Sequence, residues 1–294
     1  MQSFEQHLRQ ELKSNIKLLR RDLRRIGQLL RYRRYSMEGV PVLFANSFPK
    51  SGTHLLTQVL QGFTKIGPAI NSGLPAIVTF DGATGKRRKT DEILRDINRL
   101  RPGDIAYGHL HSIDVLTTAL CSNGKATYFI LRDPRDVVVS HVYYITEIEF
   151  NHIHHKYYKN ELADFDERLR TSILGRPDFD DQYPNIRERF EPYLGWLDQP
   201  QVRSLKFEDF ILDQERAVKQ VLDHAVERGF PIEVNCSQAI QYLTAEINPK
   251  KSPTFRSGKV GDWQAKFSSQ NKDLFKQVAG ELLIKLGYES THDW

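Results

Sequence analysis

A short apolar run that passes directly into a Pro-Lys-Ser-Gly-Thr turn, and from there into a helical pattern, constrains this chain more than any other feature. Residues 41–48 (PVLFANSF) have the length and unbroken apolarity of a strand buried on both faces. Phe48-Pro49-Lys50-Ser51-Gly52-Thr53-His54 follows at once and opens a helical segment over residues 52–63. The first N–H groups of a helix have no internal partner, and the positive end of its dipole lies there, so such a turn is built to hold an anion. Lys50 supplies a point charge, while Ser51 and Thr53 offer hydroxyl donors. Gly52 allows the backbone to approach a phosphate closely. The turn lacks the G-x-x-x-x-G-K-[ST] spacing of a Walker A loop.

The rest of the chain repeats the strand-then-helix order. Residues 104–110 (DIAYGHL), 126–132 (ATYFILR) and 201–207 (QVRSLKF) are strand candidates, and residues 134–148, 214–228, 235–245 and 271–286 carry helical patterns. Residues 64–103 read as loop-rich and include the basic run Lys86, Arg87, Arg88 and Lys89. Alternation of this kind predicts an α/β fold, a P-loop-like parallel sheet flanked by helices on both faces. At 294 residues the chain is long enough to bury a large core.

Residues 1–38 stand apart as a long basic amphipathic helix, leaving residues 39–294 as the main domain. Leu8, Leu12, Ile16, Leu19, Leu23, Ile26 and Leu30 recur at steps of three or four and form one apolar stripe. Residues 1–35 also hold ten Lys or Arg against three acids, an excess larger than the +5 of the whole chain. The stripe would pack on the domain or on another subunit, or the helix would lie on an anionic membrane surface. Nucleic acid is not an expected partner. Two cysteines, Cys121 and Cys236, and no apolar leader or spanning run point to a cytoplasmic protein, possible membrane association through residues 1–35 aside.

Two further patches, in order, make the chain resemble the PAPS-dependent sulfotransferases of the cytosolic type, where PAPS is 3′-phosphoadenosine 5′-phosphosulfate. The first is Arg132-Asp133-Pro134-Arg135-Asp136 with Ser140, similar to the family's R-x-P-[RK]-D-x-x-x-S. The second is Arg256-Ser257-Gly258-Lys259-Val260-Gly261-Asp262-Trp263, similar to its R-K-G-x-x-G-D-W lid with Ser257 in place of Lys. The resemblance covers about residues 41–285. It implies that Lys50, Ser51, Gly52, Thr53 and His54 grip the 5′-phosphosulfate, and that Arg132, Ser140, Arg256, Ser257 and Gly258 hold the 3′-phosphate. Phe207 falls where the family has a Tyr near the adenine. PAPS is then the donor and 3′-phosphoadenosine 5′-phosphate (PAP) the product, and the chemistry requires no metal.

The family's catalytic His lies in K-[ST]-H-L-P, which corresponds here to Tyr107-Gly108-His109-Leu110-His111. His109 is therefore the expected general base and Lys50 the group that stabilises the leaving phosphate, with His111 as a second candidate base. The family's dimer motif falls on Gln264, Ser268, Ser269 and Asp273 and keeps only the acid, so oligomeric state does not follow. The acceptor, a hydroxyl or an amine, is not specified. The basic helix and residues 86–89 tilt it toward a glycan or a lipid-linked molecule. Two alternatives compete: a P-loop nucleotide kinase, which would need ATP and Mg²⁺, and a catalytically silent membrane-surface binding protein. The missing Walker lysine pattern counts against the first, and the intact Lys50, Arg132, Ser140 and Arg256 against the second.

Overall fold

The computed structural model describes residues 2–294 except 83, 177–182 and 253–254, with side chains from residue 16 onward. Its centre is a wholly parallel sheet of six strands: β1 (Val42–Ser47), β2 (Ile70–Asn71), β3 (Ile77–Val78), β4 (Asp104–His109), β5 (Lys125–Leu131) and β6 (Val202–Lys206). The order is β2-β4-β1-β5-β6, with β3 paired to the far end of β4. Gly108 makes that last pairing possible: a Cβ there would lie 2.1 Å from the Ile77 carbonyl oxygen.

Alternate residues of each strand feed two cores, which is why the strands read as unbroken apolar runs. Phe44, Ala106, Phe129 and Leu131 face one side, where α3 (Thr90–Asn98), α4 (Asp114–Cys121), α5 (Pro134–Tyr143), α6 (His155–Asn160), α7 (Phe165–Leu174), α8 (Ile186–Leu194) and the late helix (Ser269–Lys285) contribute. Leu43, Ala45, Ile105, Tyr128 and Ile130 face the other side, covered by α2 (Thr53–Ile66), α9 (Phe207–Leu212), α10 (Gln214–Glu227) and α11 (Cys236–Ala245). The late helix, α12, is kinked at Ala279.

Residues 64–103 are less loop-rich than their sequence implies, since they hold β2, β3 and α3. The two strands are only two residues long and leave no periodic signal. The segment predicted as one helix over residues 134–148 divides into α5 and a π-helical turn at Tyr144–Ile148.

The N-terminal helix α1 (Gln2–Arg31) docks in a way its pattern did not forecast. Arg21 is 1% exposed and pairs with Asp104, which is fully buried at the start of β4. Arg25 reaches the same carboxylate at 3.1 Å, and Arg24 donates to the Asn71 carbonyl at 2.7 Å. Gln28 and Tyr32 both donate to the carbonyl of Thr64, at 3.2 and 3.1 Å. The polar face therefore meets the domain, and the apolar stripe from Ile16 to Leu30 points outward. The interior carboxylate of Asp104 and the backbone carbonyls around it take donors from the arginine face, with the Arg101 N–H adding one more to Asp104. Among the described residues no helix is long and apolar enough to cross a membrane.

Candidate active site

The parallel strands end on one cavity of about 1310 Å³, at the carboxyl edge where α/β sheets bind ligands. Lys50, Gly52, Thr53, His54, His109, His111, Arg132, Ser140, Phe207, Arg256, Ser257 and Gly258 all line it. Ser51 lies just beneath the lining, completely buried.

The loop after β1 has the irregular backbone of a site built around a ligand. Lys50 has φ 70, unusual for a residue with a Cβ, and Gly52 has φ 100 as the residue before α2. A Cβ on Gly52 would also lie 2.7 Å from the Phe207 ring, so this position requires glycine. The Lys50 ammonium sits 3.9 Å from the centre of the Tyr144 ring. Burial, with Arg132 and then Arg256 nearby, lowers its pKa to about 7.

Two polar atoms at this end of the sheet stand without partners. The Ser51 hydroxyl and the Arg132 Nε are buried polar atoms with no hydrogen-bond partner. Such groups are normally satisfied, and a phosphate-bearing ligand at this loop is the chemistry that would satisfy them. Arg132 is held by the Lys259 carbonyl at 2.7 Å and by Asp136 at 3.2 Å, with its guanidinium 4.5 Å from the Phe207 ring centre.

Asp136, an acid of the second patch, carries no assigned role in the motif reading. Its carboxylate accepts from the backbone N–H groups of Gly261 and Trp263, both at 2.9 Å, as well as from Arg132. One buried acid thus ties the arginine of the second patch to the backbone of the third. Arg256 pairs with Asp262 and lies over the Tyr143 ring at 4.2 Å. Arg135 is clasped between Trp263 and Trp294, at 3.9 and 4.4 Å, and pairs with Asp133 and Glu289.

His109 closes β4 beside the phosphate loop. Its Nδ1 is 3.1 Å from the Ser47 carbonyl and 3.0 Å from the Ser47 hydroxyl, which in turn contacts the Thr53 hydroxyl at 2.6 Å. A carbonyl oxygen only accepts, so Nδ1 carries the proton and Nε2 keeps its lone pair. Burial lowers the His109 pKa to about 4, so the ring is neutral at ordinary pH. His111 lines the same cavity but is spent on aromatic packing, 4.7 Å from Tyr193 and 5.4 Å from Phe80.

The other wall is built from aromatic and histidine side chains of residues 141–183. His141, His152, His154, Tyr144 and Tyr183 line the cavity. The Tyr183 hydroxyl meets His141 Nδ1 at 3.0 Å and receives a hydrogen bond from Arg189 at 2.7 Å. No cluster able to hold a metal ion is present among the described residues. Of the basic run, Lys86 and Arg87 face the cavity, whereas Arg88 pairs with Asp96 at 2.7 Å.

Comparison with solved structures identifies the architecture. A retinol dehydratase complexed with retinol and PAP superposes with a TM-score of 0.55 at 16% identity, over 85% of this chain and 83% of that one. Mouse sulfotransferase SULT7A1 complexed with PAP gives 0.56 at 17% identity, over 83% and 84%. This chain has the sulfotransferase fold. The same retinol dehydratase complexed with androsterone and inactive cofactor PAP gives 0.55 at 16% identity, over 82% and 80%. No protein-family model and no curated protein sequence matches the chain. The sulfotransferase architecture is thus carried by residues of which few are shared, the regime in which strand order and loop geometry outlast side-chain identity.

Proposed function

We propose that this protein is an enzyme that transfers a sulfuryl group from PAPS to an acceptor hydroxyl or amine. The observation that carries the reading is the pair of partnerless buried polar atoms, Ser51 Oγ and Arg132 Nε, in a sulfotransferase fold whose cavity is also lined by Lys50 and His109. Neighbours of the same fold hold PAP.

PAPS supplies the activated sulfuryl group, and the protein supplies position, charge and a base. The start of α2 with Ser51, Gly52, Thr53 and His54 grips the 5′-phosphosulfate. Arg132 and Ser140, with Arg256, Ser257 and Gly258 closing over them, take the 3′-phosphate, and Phe207 borders the adenine side. His109 accepts the acceptor proton at Nε2, while Ser47 fixes the ring through Nδ1. The acceptor oxygen or nitrogen bonds to sulfur as the bond from sulfur to the bridging oxygen of the 5′-phosphate breaks. Lys50 meets the charge that develops on that oxygen. Burial is the main cause of the lowered Lys50 pKa, with Arg132 and Arg256 adding to it, and a bound anion beside the ammonium raises it again.

The acceptor side supports a molecule with a ring face and an acidic substituent, such as a glycan or a lipid-linked sugar. Phe80 offers an exposed ring face, and Lys86 and Arg87 add positive charge at the same wall.

Calorimetric titration with PAP tests the donor site, with ATP plus Mg²⁺ as comparison. Metal-free PAP binding that Arg132→Ala abolishes is the expected result. Failure to bind PAP, with tight binding of ATP and Mg²⁺, would overturn the reading in favour of a kinase.

A further inference from the structure

The outward stripe of α1 is the largest feature that the proposed reaction does not use. Ile16, Leu19, Leu23, Ile26 and Leu30 are 46%, 61%, 60%, 54% and 76% exposed. They succeed one another at three- and four-residue steps, so they form one continuous band. The sequence continues the same spacing to Leu12 and Leu8. A band this long is far more than the scattered exposed apolar residues of an ordinary surface.

The charge around the band selects what can cover it. Lys17, Arg20, Arg31 and Arg33 are exposed beside it, and none has an ion pair among the described residues. Arg20 lies one turn from both Ile16 and Leu23. Among the described side chains of α1 the one acid, Asp22, is already matched by Arg101 at 2.8 Å. A second copy of α1 would bring its own arginines against these, a like-charge contact. An anionic bilayer surface offers both an apolar interior for the band and headgroups for the cations.

We infer that α1 is a docking helix that seats its Ile16–Leu30 band in an anionic lipid surface, while Arg21, Arg24 and Arg25 couple it rigidly to the sheet. The division of labour is visible in burial, with Arg21 buried inward and Ile16, Leu19, Leu23, Ile26 and Leu30 exposed outward. The contacts of α1 lie at the amino end of β4 and beside Thr64, near the end of α2. The phosphate loop lies at the other end of α2, roughly 20 Å away for a helix of 14 residues. Docking by α1 therefore leaves the cavity off the lipid surface. The inference is independent of the reaction proposed above.

Cosedimentation of the full chain with vesicles tests it, using phosphatidylcholine alone and equal parts phosphatidylcholine and phosphatidylserine. Binding to the anionic vesicles only, weakened by salt, is expected. The double variant Leu19→Glu, Leu23→Glu should abolish it, and Arg20→Gln and Arg31→Gln should each weaken it roughly fivefold. PAP titration of the variants checks that the domain is intact. Absence of binding at low salt, or binding that Leu19→Glu, Leu23→Glu leaves unchanged, would overturn the inference. So would a concentration-dependent dimer in sedimentation velocity that this variant dissociates while no vesicle binding occurs, since a second copy would then cover the band.

Discussion

The Nδ1 of His109 lies 3.1 Å from the carbonyl of Ser47 and 3.0 Å from its hydroxyl, and donation to the carbonyl leaves Nε2 as the free nitrogen. The strand that ends in the phosphate loop thereby also orients the expected base. Burial holds the His109 pKa at about 4, below its ordinary 6.5. The neutral, proton-accepting form persists as pH falls through 6.5 and is lost only near 4. With PAPS and an accepted substrate, kcat/KM should therefore lack an acid limb at 6.5 and show one near 4. His109→Ala should lower kcat by roughly 10²–10⁴ and leave PAP affinity unchanged in calorimetry.

Lys50 predicts a proton-linked donor affinity. In the free protein its pKa is about 7, and an anionic ligand requires the ammonium form. Binding above pH 7 should then take up a proton, and PAP affinity should fall as pH rises, by up to about tenfold per pH unit. Titrations in buffers of different ionisation enthalpy measure the uptake directly. Lys50→Met should bind PAP more weakly and remove this dependence.

Asp136 joins Arg132 to the backbone of Gly261 and Trp263, so its loss should loosen the site without touching any ligand. Asp136→Asn loses the charge that strengthens all three bonds. PAP affinity should drop about tenfold to a hundredfold. Limited proteolysis should find residues 255–261 cut sooner in this variant than in the parent, with or without PAP.

The buried Arg21–Asp104 pair predicts a large and specific stability effect. Arg21→Ala leaves the Asp104 carboxylate buried with Arg25 as its remaining cation, and should cost about 3–5 kcal/mol in urea unfolding. Arg20→Ala, one residue away and exposed, should change stability by less than about 0.5 kcal/mol. Replacing both partners, Arg21→Met with Asp104→Leu, should recover part of the loss.

Much of the site was legible before any coordinates, because phosphate binding is local chemistry. Lys50, Ser51, Gly52 and Thr53 are neighbours in the chain, so their placement together at one end of the cavity follows from a strand running into a helix. Arg132 and Ser140 share one strand-to-helix passage and so declared themselves together. Asp136 did not, since its role lies in bonds to residues more than a hundred positions away. Tyr144 beneath Lys50 and the contact of Tyr183 with His141 likewise join residues from separate elements.

The α/β alternation, the Pro-Lys-Ser-Gly-Thr turn, the order of the three patches and the amphipathic pattern of the first helix can all be read from residues close in the chain. Which face of that helix meets the domain is set by contacts between residues far apart in it. A periodic stripe says which residues share a face, but the direction it points depends on what waits at the other surface. Here that surface holds a buried carboxylate and backbone acceptors, which arginines satisfy and leucines cannot.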